Sequence, residues 1–115
     1  MTHTTTLLAD HHGVAKPKAS GIEYYAEAEA TFTDYDADPG EVFNASEFGL
    51  SSITSVSVIG FSDHGTKTVV VEVSSTGAYA SASSFKLYLY DMSPAYAENG
   101  GTFTGTVRFR VTGLL

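Results

Sequence analysis

Three observations on the 115-residue sequence predict an all-β fold, a single-domain antiparallel β-sandwich or barrel-like sandwich. At least five short segments alternate apolar and polar residues, Gly-, Asn-, Asp- and Ser-containing turns separate them, and no long stretch repeats with the period of a helix. A chain of this length forms one core without needing a second domain.

Residues 1–20 are rich in Thr, His, Ala and Lys, with Leu7, Leu8 and Val14 as apolar anchors, and are expected to form an extended arm outside the 21–115 domain. Such a segment either frays or orders against a neighbouring subunit. In the second case Leu7 and Leu8 supply the anchors, and Lys16 and Lys18 the charges, for a partner.

From Gly21 the chain alternates Ile22, Tyr24, Ala26, Ala28, Ala30 and Phe32 with Glu23, Tyr25, Glu27, Glu29 and Thr31, the period of a half-buried strand. A helix would scatter the same alanines and glutamates around its circumference. The small inward residues point to close approach by an opposing sheet or by bulky phenylalanines. The segment from Tyr35 to Ile53 has no strand period; Asp38-Pro39-Gly40 reads as a turn, and Val42 and Phe43 as anchors. Ser46 or Asn44 then caps one helical turn through Glu47 and Phe48, which Gly49 stops before Leu50 and Ile53 enter the core.

Residues 53–59 form the next strand, and the Asp63-His64-Gly65 turn is expected to close a hairpin with the strand 66–73. The consecutive valines of that second strand suggest cover on both faces. Residues 84–90 place Phe85, Leu87 and Leu89 on one face and Lys86, Tyr88 and Tyr90 on the other. The final strand, from 102, sets Phe103, Val107, Phe109 and Val111 against Arg108 and Arg110. Its outer charges complement those of the 22–32 strand, so the two are expected to be neighbours, with Glu27 or Glu29 opposite Arg108 or Arg110.

Composition narrows the function. With no cysteine, disulfides, thiolate metal sites and cysteine nucleophiles are excluded. Thirteen acidic against six basic residues give a net charge of −7, which disfavours nucleic acid as a partner. No apolar run reaches a membrane span and the first residues lack signal-peptide regions, so a soluble, unprocessed chain is expected.

Asp34, Asp36, Asp38 and Gly40 form a D-x-D-x-D-x-G pattern that makes the three aspartates calcium candidates. The pattern departs from a calcium-binding helix–loop–helix, because Pro39 stands at the sixth position and Ala45 at the twelfth. Asp10, His11 and His12, with His3 nearby, form a metal-like cluster that fits adventitious binding better than a built site. His64 stands without a paired nucleophile and no phosphate loop leads into a helix, so no enzyme activity and no cofactor are expected. Tyr25, Tyr79, Tyr88, Tyr90 and Tyr96 suit a saccharide or protein contact as well as an ordinary strand surface.

Phe32, Tyr35, Gly40-Glu41 and the Gly49-Leu50-Ser51-Ser52-Ile53 entry into a strand resemble small structural proteins of tailed bacteriophages, a likeness extending weakly to Val111-Thr112-Gly113. The resemblance implies a non-enzymatic head decoration, or cement, protein on the capsid exterior. Its partner would be the major capsid protein or another virion protein. A homo-oligomer follows from the same reading, with a trimer at local threefold positions as one arrangement. The alternative is a tail or fibre-associated adhesion module that binds host saccharide through exposed tyrosines.

Overall fold

The structure, a computed structural model, describes residues 3–10, 12–35, 40–73, 82–92, 97–101 and 103–115. Its strands are β1 (His3–Leu7), β2 (Lys18–Ser20), β3 (Glu23–Phe32), β4 (Glu41–Asn44), β5 (Ser52–Phe61), β6 (Lys67–Val73), β7 (Ser84–Asp91), β8 (Ala97–Glu98) and β9 (Gly105–Leu114). One antiparallel sheet runs β1-β3-β9-β5 with β2 also on β3; the other runs β4-β7-β6 with β8 on β7. The two sheets enclose one core, so the chain is a β-sandwich.

Phe43 sits at the centre of that core, stacked on Phe85 at 5.1 Å and edge-on to Phe109 at 5.3 Å. Ala28 and Ala30 of β3 are fully buried beside Phe109 and Val107 of β9. Small residues on one strand therefore make room for large ones on its neighbour, and rings at these separations add about 0.5–1.5 kcal/mol per pair beyond burial. The β3–β9 pairing sets Glu27 opposite Arg110 and Glu29 opposite Arg108, as the charge pattern predicts.

The segment predicted as an arm is extended, but it belongs to the sheet. β1 pairs with Ala28–Phe32, the Leu8 N–H still donates to the Glu27 carbonyl at 2.8 Å, and β2 resumes on Glu23–Tyr25. The two are one edge strand interrupted by an excursion over residues 9–17. The Asp10 carboxylate closes that excursion by accepting the N–H groups of His12 and Val14, each at 2.9 Å. Pro17 lies so close to Gly49 that a Cβ there would stand 3.0 Å from the proline ring. Without this edge strand, β3 would leave a row of backbone donors and acceptors unpaired, which explains why a polar, threonine-rich segment is drafted into the sheet.

Three further expectations are revised. The Asp63–Gly65 turn does not close a hairpin, because β5 and β6 lie in different sheets. It carries the chain across the sandwich, with the Thr66 hydroxyl donating to Asp63 at 2.7 Å. Nor is the valine run of β6 covered on both faces: β6 ends its sheet, Val69, Val71 and Val73 turn to the core, and Val70 points outward with 43% of its surface exposed. Val42, expected to anchor, also points outward and is exposed.

Between Tyr35 and Ile53, Glu41–Asn44 form a strand that the sequence period did not show, and the capped turn after it is built as its sequence suggests. Ala45–Phe48 form a single 3-10 turn with Asn44 at its N-cap, and Gly49 ends it in the left-handed region at φ 75°. Glu47 reaches back to accept the Asn44 N–H at 2.8 Å. Phe48, Leu50 and Ile53 are buried, and Tyr35 fixes the other end, its ring in the core and its hydroxyl donating to Glu98 on β8.

Candidate functional site

Where β1 meets β4, the open side of the sandwich is closed by a cluster that sequence reading did not assemble. His3 faces inward opposite Phe32 in the β1–β3 register and stacks on Phe43 with ring centres 4.0 Å apart. Its Nδ1–H donates to Glu41 Oε2, and its Nε2–H donates to Glu47 Oε1 at 2.8 Å. Thr5 Oγ1 donates to the same Glu47 oxygen at 2.7 Å, while the other Glu47 oxygen holds the Asn44 N–H.

His3 and Glu41 are buried, with 7% and 2% of their surface exposed. Burial alone would push the imidazole pKa down, but hydrogen bonds to Glu41 and Glu47, together with their negative charges, outweigh it and raise the value to about 9. For Glu47, burial pushes the pKa up. The His3, Thr5 and Asn44 hydrogen bonds, with the imidazolium charge, overcome this and hold it below its ordinary value. The cluster is therefore an imidazolium between two carboxylates. Both ring nitrogens donate, so neither lone pair is open to a metal ion or a substrate proton. Its work is mechanical: it ties β1 to β4 and to the 3-10 turn. An open recess of about 320 Å³, lined by His3, Thr4, Thr5, Asn44 and Glu47, lies beside it.

Leu7, Leu8, Lys16 and Lys18, predicted as partner contacts, do converge. They line a small pocket of about 60 Å³ with Asp10, Tyr25 and Glu27. Leu7 packs against the core, and Lys18 Nζ lies 3.5 Å from Asp10 and donates to the carbonyls of Val14 and Lys16 at 3.1 Å. Lys16 is exposed. Of the calcium candidates, Asp34 is exposed, and Asp36 and Asp38 lie outside the described residues. His3 is drawn away from Asp10 and His12 into the core, and His11 lies outside the described residues.

The two outer faces differ in chemistry. On the β1-β3-β9-β5 sheet, Arg108 meets Glu29 at 3.1 Å, Arg110 meets Glu27 at 3.3 Å, and the Arg110 guanidinium sits 4.6 Å above the Tyr25 ring. The outer face of the other sheet carries Val42, Val70, Tyr88 and Tyr90, with the Lys86–Glu72 pair of the β6–β7 register at one end. Tyr88 leans over Gly40, where a Cβ would stand 2.9 Å from its ring. Tyr79 and Tyr96 lie outside the described residues.

Among the described residues no helix is long and apolar enough to cross a membrane. Comparison with protein-family models, with curated proteins and with solved structures returns no match. The class defined by fold and surface is thus an all-β sandwich with one outer face that carries two ion pairs and the exposed Ile59 and another that carries tyrosines and valines.

Proposed function

We propose that the protein is a non-enzymatic virion structural component, a decoration protein that binds and stabilises the outside of a phage head. The reading rests on the sequence resemblance and, in the molecule itself, on the contrast between its two faces. The Glu27–Arg110 and Glu29–Arg108 pairs are satisfied within the chain, which suits a face turned to solvent. Val42 and Val70 are exposed beside Tyr88 and Tyr90, amphipathic rings of the kind enriched where proteins meet. That face would sit on the major capsid protein or another virion protein. A protein that binds only the assembled shell stabilises it by mass action.

The adjacency of Tyr88 and Tyr90 on one face also favours the second reading, a tail or fibre module that binds host saccharide. Copy number in purified particles, by quantitative gel or cryo-electron microscopy, separates the two. Decoration gives many copies, and replacing both tyrosines with alanine releases the protein from heads. An adhesin is present in few copies, and the same variant stays on the particle but loses host binding. Absence from particles rejects both. Removing residues 1–20 is a poor test, since it strips the edge strand from β3 and His3 from the core.

A further inference from the structure

Among the described residues the two sheets end in four edges, formed by β1 with β2, by β5, by β4 with the two-residue β8, and by β6, and three of these edges are guarded. β1 is five residues long and gives way to the excursion after Leu8. β4 has only four residues. β5 carries two register breaks against β9, at Ile53/Ser55 and Val58/Gly60, which kink it and interrupt its hydrogen-bond ladder. Short, interrupted and bulged edges resist adding another strand.

β6 has none of these devices. It runs seven residues in unbroken register with β7, from Lys67 opposite Asp91 to Val73 opposite Phe85, with three valines at its middle. Of its two charged residues, Lys67 is drawn back to Asp63 at 3.3 Å and Asp91 at 3.4 Å, and Glu72 stands opposite Lys86 in the register with β7. Tyr88, the register partner of Val70, leans toward Gly40, and Val70 keeps 43% of its surface exposed.

We infer that a second copy of this chain pairs with the edge of β6, antiparallel and about a twofold axis through Val70, joining two four-stranded sheets into one. The sequence of β6 is self-complementary in that register. Val70 is the middle residue of Lys67–Val73, so every position finds a partner without stagger. Val70 meets its own copy on the outer face, Thr68 meets Glu72 beside it, and Val69 meets Val71 on the core side. No like charges are opposed, and the exposed Val70 of each copy supplies a cross-strand contact of the kind that stabilises antiparallel pairs. The pairing gives dimers in place of the threefold arrangement suggested by the sequence resemblance, and it does not depend on what the tyrosine-bearing face binds.

Sedimentation of the full chain over a range of concentrations should show a monomer–dimer equilibrium. Val70→Lys should raise the dimer dissociation constant at least tenfold while leaving the circular dichroism spectrum unchanged. The chain has no cysteine, so single cysteines report register cleanly. Val70→Cys should cross-link to itself under mild oxidation. Thr68→Cys and Glu72→Cys should each stay unlinked alone but cross-link when mixed. A chain that stays monomeric at the highest concentrations, a dimer indifferent to Val70→Lys, or a dimer in which Val70→Cys does not cross-link overturns the proposal.

Discussion

Two of the places where carboxylates meet cations in this molecule behave as different materials. On the outer face of the β3–β9 ladder, Glu27–Arg110 and Glu29–Arg108 lie in water, with the arginines about half exposed. Between β1, β4 and the 3-10 turn, Glu41 and Glu47 grip His3 out of water. Exposed pairs are screened and hold two long side chains in place for little return, whereas a buried charge stripped of its partner has no solvent to turn to. Burial, more than the number of ion pairs, decides which set the fold depends on.

The largest effect should come from the buried set. Replacing His3 with alanine leaves two carboxylates facing each other across a cavity beside Phe43, and denaturant unfolding should register a loss of about 3–5 kcal/mol. The pH dependence should be two-sided. The His3 pKa is raised above 6.5, so its contribution is complete below about pH 6.5 and is lost as pH rises through about 9. The Glu47 pKa is lowered, so its contribution is present above its ordinary value of 4.5 and is lost as pH falls through the depressed value. Melting temperature against pH should fall on both limbs, and His3→Gln should flatten the alkaline one.

Thr5→Val, which removes one donor to Glu47 while keeping the shape, should cost about 1–2 kcal/mol. Least of all, Arg108→Ala should cost under about 1 kcal/mol and vanish in high salt, with Arg110→Ala somewhat worse because it also loses the Tyr25 ring. If Arg108→Ala proves as damaging as His3→Ala, the contrast between the two sets collapses.

The sequence displayed the weaker set and concealed the stronger. Glu27, Glu29, Arg108 and Arg110 sit on strands whose period of two announces which side is polar, so their pairing follows once β3 and β9 are taken as neighbours. His3, Glu41 and Glu47 come from a threonine-rich start, the first residue of a four-residue strand and a 3-10 turn, with His3 38 and 44 positions from its partners. No local period links them. Only the capped turn that carries Glu47 was readable, with Ser46 or Asn44 as its cap; that Glu47 itself reaches back to the Asn44 N–H was not. The Phe85, Leu87 and Leu89 face was legible because burial there alternates, and the Phe48–Ile53 entry because a capped turn stopped by Gly49 precedes it. The crossing at Asp63–Gly65 was not, since a tight turn has the same composition whether it stays in one sheet or leaves it.

The central place of the β3–β9 ladder also sets an order of events at the ribosome. Glu29 and Arg108 are 79 positions apart, so at about 5–20 residues per second β3 waits roughly 4–16 s for the strand that flanks it. During that interval Ala26, Ala28 and Ala30 have no Phe109 beside them, while β6 and β7 can already pair through their shorter connection. The sheet holding the histidine is the later one to close, and a nascent chain of this protein is most open to proteases and chaperones along β3.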